Sequence, residues 1–264
     1  MTHSYLYKHS QEARIHLMKR LIYTMCTFLC TAAYANAQTV IIQAKNPPNT
    51  PTAFSWLNSY KKLTLYKFNS SEYCLKVIDQ PNSTMQDAMM QNNCSAGVNG
   101  GFFSTDIDKS PLGLLIQDGV LISGMETKGF WASGILYDTG RTIRLERRQH
   151  LSTPIQDIQQ AIQSGPFLVE HGQIVRGLNN TKRDTRTFVA TDNAGHWCIG
   201  ISSALTLQEL AEWLASGPKE IGFKINAALN LDGGSSSGYY AKDSQMYIPP
   251  IKQVRNYLGI RARN

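Results

Sequence analysis

Residues Leu229–Gly238 read "LNLDGGSSSG". An apolar run studded with asparagines ends in one acid, two glycines and three serines. Gly and Ser clusters mark loops, so one reading is a solvated linker with Asp232 as an Asx-turn residue. The other is a strand end that delivers Asp232 to the floor of a site. Two further stretches break in the same way. In "VNGGFF" (98–103) a buried-looking strand carries Asn99 and then Gly100 and Gly101. In "QSGP" (163–166) Ser164, Gly165 and Pro166 cut what reads as a helix ahead of a strand. Taken singly, these are a tight turn and a helix stop. Together they set glycines, which let backbone approach a ligand closely, beside amides and hydroxyls that donate to sugar or phosphate oxygens. The candidate binding residues are Asn99, Gly100, Gly101, Ser164, Gly165, Asn230, Gly233, Gly234 and Ser235.

Outward from these stretches the chain reads mainly as hairpins. "KKLTLYKFN" and "YCLKVIDQ" form a strand pair turning at Asn69–Glu72. "PLGLLIQDGVLIS" turns at Asp118-Gly119, the strongest short hairpin signal in the chain. "WASGILYD" pairs with "RTIRLERR", "FLVEHGQIV" turns at His171-Gly172, and "RTFVATDNAGHWCIGIS" turns around Asn193–Gly195. Helical patterns occupy 84–92, capped by Thr84 or Ser83, then 155–163, then 206–216. In the last, Thr206 is the cap and Leu207, Leu210, Ala211 and Leu214 share one face. The expected fold is α+β: mixed, largely antiparallel sheets with about three packed helices, in a single domain over 54–264. Residues 38–53, with "KNPPNTPT", read as a polar, Pro-rich lead in loop conformation.

The chain has 264 residues, of which 42% are apolar and 17% charged, enough to bury a core. The formal charge of +7 owes part of its size to the N-terminus. Without residues 1–37 the balance is 22 basic against 18 acidic side chains, and no Lys/Arg block of the nucleic-acid-binding kind is present. Residues 1–37 read as a secretory signal peptide. "MKR" (18–20) is the basic start, "LIYTMCTFLCTAA" (21–33) is an apolar stretch too short to span a bilayer, and "ANA" (35–37) is a cleavage site. An N-terminal membrane anchor is the alternative reading. The expected location is secreted or periplasmic, with no stable membrane insertion after cleavage. Cys26 and Cys30 leave with the signal. Of the remaining Cys74, Cys94 and Cys198, the first two are the natural pair for a disulfide.

Four stretches, "VNGGFF…PLGLLIQDG", "QSGPFLV", "RDTRTFVATD" and "AALNLDGGSSS", resemble in sequence and in order the motifs of the phosphodiester glycosidases. The resemblance covers nearly all of 60–264. It implies hydrolysis of a sugar 1-phosphodiester, with the sugar released from phosphate and a phosphorylated carbohydrate or glycoconjugate as partner. It matches Arg186 to the family arginine. The family often has a third glycine where this chain has Ser235, which makes Ser236 the counterpart of the family serine. Thr185 stands where a proline often precedes the arginine. Both departures point to a different substrate within the class.

The chemistry of such a site needs a cation for the phosphate and a carboxylate for the anomeric carbon. A guanidinium grips phosphate in two-point fashion, which suits Arg186. Cleavage at the anomeric carbon builds oxocarbenium character, which a carboxylate stabilises or attacks, and Asp232 is placed for that. Phosphate is a good leaving group, so a dedicated general acid is dispensable. Ser236 is a phosphate donor, or a nucleophile if a base lies near. His150, His171 and His196 fall in expected loops or turns, so a Ser-His-Asp triad requires one of them to fold back. No cofactor is expected; Asp106 and Asp108 could border the cleft or bind a structural calcium, or form a solvated acidic loop. Two rivals remain: a cell-envelope glycan-binding protein without turnover, and a phosphodiesterase that attacks phosphorus with a serine. N-terminal sequencing of the exported protein is expected to begin at Gln38, and a start before Ala33 would exclude this cleavage site.

Overall fold

In a computed structural model, residues 37–45, 60–80 and 82–263 are described. The signal-peptide reading of residues 1–37 falls outside them, apart from Ala37. Strands β1 (Gln38–Lys45), β2 (Tyr60–Asn69) and β3 (Tyr73–Asp79) come first, then helix α1 (Met85–Gln91) and β4 (Ala96–Asn99). Next are β5 (Leu115–Gln117), β6 (Val120–Ser123), β7 (Gly134–Asp138), β8 (Ile143–Arg147) and β9 (Gln160–Ser164). They are followed by β10 (Phe167–Glu170), β11 (Gln173–Ile174), β12 (Thr187–Thr191), β13 (His196–Ser202) and helix α2 (Leu207–Ala215). The chain closes with β14 (Ala227–Asn230), β15 (Tyr239–Ala241), β16 (Met246–Ile248) and β17 (Asn256–Ala262).

Three sheets result, ordered β1-β2-β13-β12-β14-β10-β11, β16-β15-β4-β17-β3 and β6-β5-β9-β7-β8. Every strand pairing among the described residues is antiparallel. Two expected hairpin turns have the backbone their residues suit. Asp118-Gly119 and His171-Gly172 both hold positive φ at both positions, the twist that matches flanking strands.

Local pattern misleads at three places. The lead expected as a loop carries β1, which pairs along its length with β2 from Gln38↔Lys67 to Lys45↔Tyr60. The helix expected at 155–163 is a single 3-10 turn over Ile155–Asp157, followed by strand β9. Ile155, Ile158 and Ile162 have helical spacing, but Gln160 and Gln163 are also buried, so both faces of β9 are covered. Their amides pair with main chain: Val77 N donates to Gln160 Oε1 at 3.0 Å and Leu114 N to Gln163 Oε1 at 2.8 Å. Polar residues thus behave as core because their hydrogen bonds are met. Finally, Cys74 and Cys94 are free thiols, not a disulfide. Cys74 Sγ donates to Arg261 O, whereas Cys94 packs with Met85, Ala88 and Met89.

The two α-helices cover two of the sheets. Helix α2 presents Leu210, Ala211 and Leu214 to a core shared with Leu168, Val169, Phe188 and Ala228. Its N-terminus is a reciprocal cap: Glu209 N donates to Thr206 Oγ1 and Thr206 N donates to Glu209 Oε2, both at 3.0 Å. Helix α1 lays Met89 into a notch formed by Gly97 and its cross-strand partner Gly259. A Cβ on Gly97 would collide with the Met89 thioether.

The second and third sheets meet at β3, the outer strand of the second. Its outward amides find side chains where another strand would lie. Leu75 N donates to Asp138 Oδ2, Val77 N to Gln160 Oε1 and Asp79 N to Gln117 Oε1, at 2.8–3.0 Å. Burial pushes the Asp138 carboxyl up, against the pull of the Leu75 and Gly140 amides and of Arg263. Thr206→Ala should lower the unfolding free energy by about 1 kcal/mol, the usual loss for an N-cap. Urea denaturation measures it, and an unchanged midpoint would remove the cap from the account of α2.

Candidate active site

Strands β4, β9, β12 and β14 deliver the three glycine-containing stretches and Arg186 to one region. Asp232 follows directly on β14, and its amide donates to Gly100 O at 3.2 Å. Asn99, at the end of β4, is 1% exposed and its side chain is fully engaged. Nδ2 donates to Asp232 O at 2.6 Å, and Oδ1 accepts from the Thr187 hydroxyl at 2.8 Å and from Gly238 N at 3.1 Å. Asn99 therefore ties "NGG", "DGG" and the start of β12 together from behind. The Gly100 and Gly101 amides are also taken, by the carbonyl and side-chain oxygens of Asn256 at 2.9 and 2.8 Å. A Cβ on Gly100 would strike the Asn256 side chain, so glycine here serves close packing.

The "DGGSS" turn is pinned to the approach to β12. Gly234 N donates to Thr185 O at 2.7 Å, and a Cβ on Gly233 would come within 2.9 Å of the same oxygen. Gly234 has φ +64 and sits over the Asp184 carboxylate. Residues Gly234–Ser236 form a 3-10 turn. Across from it, Asn230 Nδ2 donates to Gly165 O at 3.0 Å, which fixes the cis Gly165-Pro166 segment between the first and third sheets. Gly165 has no room for a side chain, because Phe130 O and Ser133 crowd it.

Buried polar atoms normally find partners, and leaving one without costs about 1–3 kcal/mol. Among the described residues, seven buried side-chain atoms have no hydrogen-bond partner. Three of the seven are Ser164 Oγ, Asn230 Oδ1 and Ser236 Oγ, the last of which lies close enough to Asp232 to pull on its carboxyl. All three belong to the expected site, Ser164 and Asn230 as binding residues and Ser236 as a catalytic one. Asn230 contrasts with Asn99, whose amide oxygen accepts twice. These atoms are what a ligand's hydroxyls or phosphate oxygens would satisfy.

Two charges frame them. The Arg186 guanidinium donates Nε to Leu205 O at 2.9 Å and Nη2 to Lys182 O at 2.6 Å, which occupies one edge and leaves the Nη1 end. Burial pulls its pKa down and Asp184 opposes this. Asp232 accepts from Gly233 N at 2.9 Å. Burial pushes its carboxyl above the ordinary value and Asp184 adds to the rise, while Ser236, the Gly233 amide and Lys252 oppose it. Lys252 carries no motif signature, and Asp184, though inside the "RDTRTFVATD" stretch, is not singled out from sequence. Ser235 contributes its carbonyl, which accepts from Ile251 N and Lys252 N.

Other expected features lie elsewhere. Asp192, which bonds His196 through Nδ1 at 2.6 Å, sits at the end of the first sheet opposite Arg186. His150 and His171 line a cavity with Asn193 and Asn226 at that same far end. Among the described residues, no histidine is placed to serve Ser236. A cavity of about 550 Å³ between Ser70, Arg144 and Trp197 is at the far end too and contains none of the site residues. Asp106 and Asp108 are exposed, and among the described residues no group of three His, Cys, Asp or Glu could hold a metal.

The family profile of the phosphodiester glycosidases matches residues 92–261, which include all three glycine-containing stretches, Arg186 and Lys252. The chain belongs to this family. No curated protein sequence matches it significantly. Among solved structures, it is similar to the catalytic domain of zebrafish N-acetylglucosamine-1-phosphodiester alpha-N-acetylglucosaminidase, auto-inhibited by its pro-peptide. The TM-score is 0.60 and the identity 16%, over 85% of this chain and 82% of that one. A hypothetical protein from Synechocystis aligns with TM-score 0.57 and 15% identity, over 86% of this chain and 62% of that one. A candidate exported protein of Burkholderia pseudomallei K96243 aligns with TM-score 0.53 and 13% identity, over 76% and 74%. These likenesses show the fold. No helix among the described residues is long and apolar enough to cross a membrane.

The raised Asp232 pKa has a consequence for stability. A carboxyl raised in the folded state binds its proton more tightly there, so stability falls as pH climbs from the unfolded pKa through the folded one. Asp232→Asn keeps the acceptor for Gly233 N and removes that loss. The variant should melt above the wild type at pH 7, with the gap closing below about pH 4. A gap that is constant with pH, or a lower melting temperature at pH 7, would show that the carboxylate is not strained by burial.

Proposed function

We propose that this family member is an exported hydrolase that cleaves a sugar 1-phosphodiester at the anomeric carbon. The observation that carries the reading is the gathering of Asp232, Arg186 and Ser236 with the buried, unpartnered oxygens of Ser164 and Asn230, within the span matched by the family. Asn230 and Ser164 would bind sugar hydroxyls. The free end of Arg186 would face the phosphate, whose charge suits a guanidinium.

Asp232, ionised, would stabilise the positive charge that develops on the anomeric carbon or attack that carbon directly. The bond between the carbon and the bridging oxygen breaks, and its electrons leave with the phosphate. Water adds its oxygen to the carbon and loses a proton to solvent. The products are the free sugar and a phosphomonoester of the aglycone. Phosphate leaves readily, so the step needs no dedicated general acid.

The test is a panel of sugar 1-phosphodiesters, including a chromogenic analogue. Asp232→Asn should lower kcat/KM about a hundredfold or more, the scale for losing a group that meets transition-state charge. Arg186→Ala should lower it roughly tenfold or more. The acid limb of kcat/KM should lie above the usual carboxylate pKa of about 3.9, because the free enzyme must ionise a raised Asp232. In heavy-oxygen water the label should appear in the sugar. Label in phosphate would make the protein a phosphodiesterase, and tight binding without product would make it a glycan-binding protein. Full activity in Asp232→Asn would end the role given to Asp232.

A further inference from the structure

The segment after β16 crosses between two of the glycine-containing stretches. Ile251 N and Lys252 N donate to Ser235 O at 2.9 and 3.0 Å, which anchors one end to the "DGGSS" turn. Asn256 anchors the other end to Gly100 and Gly101. The guanidinium of Arg255 clamps Asp79 through Nε and Nη2 at 2.6 and 2.7 Å, so the span is held firmly. Lys252 projects from this bridge, exposed, with Nζ 5.4 Å from the centre of the Phe103 ring. Phe103 lies two residues beyond Gly101.

The charges nearby differ in how they are engaged. Arg186 already donates to two carbonyls and has Asp184 for an anion. Arg255 is neutralised by Asp79. Among the described residues, the Lys252 ammonium makes no ion pair and no hydrogen bond. Its contact is an aromatic face, which attracts a cation without using its N–H donors. Its field reaches the Asp232 carboxyl and pulls that pKa down. An ammonium with three free donors, on a fixed span at the rim of a site, is a point-charge receptor for phosphate.

We propose that Lys252 binds the phosphate of the substrate and determines selectivity for a phosphorylated over a neutral aglycone. This rests on the sugar 1-phosphodiester reading above. In it, Lys252 meets the phosphate oxygens as charge accumulates on them during cleavage, while Arg186, held by the Leu205 and Lys182 carbonyls, offers its remaining edge.

Steady-state kinetics on a chromogenic sugar 1-phosphodiester would compare wild type, K252M and K252R. K252M should raise KM roughly tenfold or more, the scale of a lost charged hydrogen bond. K252R should stay within about threefold of wild type, because it keeps the charge. Inhibition by the free sugar should be the same in wild type and K252M. Salt should raise KM in the wild type and do so less in K252M. An unchanged KM in K252M, or an equal loss of affinity for the free sugar, would overturn the role of Lys252 and leave the cleavage reading standing. If the wild type turns over no such diester, the cleavage reading fails. Calorimetry with inorganic phosphate then decides on Lys252 alone: binding by wild type that is lost in K252M supports it, and absent or unchanged binding overturns it.

Discussion

The architecture depends on buried amide side chains that pair with main chain where one sheet stops and another begins. Three antiparallel sheets cannot share one continuous ladder, so backbone groups at their borders would be left unpaired, at a cost comparable to a lost hydrogen bond each. Gln117, Gln160 and Asp138 complete the edge of β3. Gln163 uses its whole amide: Oε1 accepts from Leu114 N and Glu126 N, and Nε2 donates to Glu126 O and Ala132 O. Asn99 and Asn256 do the same work around the glycines. In a low-dielectric interior such bonds are strong when satisfied, and each fixes the position of two elements at once.

Against this satisfied background the site stands out by what it lacks. Asn230 resembles Asn99 in burial and in gripping a loop carbonyl, yet its Oδ1 has no donor. Ser164 is wholly buried with a free hydroxyl. Asp232 carries a charge that burial opposes. The fold spends stability here, as functional sites commonly do, and keeps it elsewhere.

Much of this was legible in the sequence, because glycine turns and strand alternation are local signals. Asp118-Gly119 and His171-Gly172 announced hairpins by their need for positive φ. The cap at Thr206 and the apolar stripe of α2 were likewise local. The glycine-containing stretches were found because each interrupts a buried pattern. What stayed hidden was set by tertiary partners. Gln160 and Gln163 read as polar faces of a helix until the amides they satisfy are known. β1 owes its form to β2, a pairing no composition encodes. Lys252 acquires meaning only from the Ser235 carbonyl, and Asp184, though inside a motif stretch, only from the Gly234 backbone.

The clamp behind the glycines has one more consequence. Asn99 and Asn256 hold the loops from the protein side, through bonds directed at main chain. Main-chain partners are the same whatever side chains face the cleft. The scaffold can therefore tolerate change on its solvent side without losing the placement of Asp232. A lineage built this way can diverge far in overall sequence, and in the ligands it accepts, while the frame that presents its carboxylate stays put.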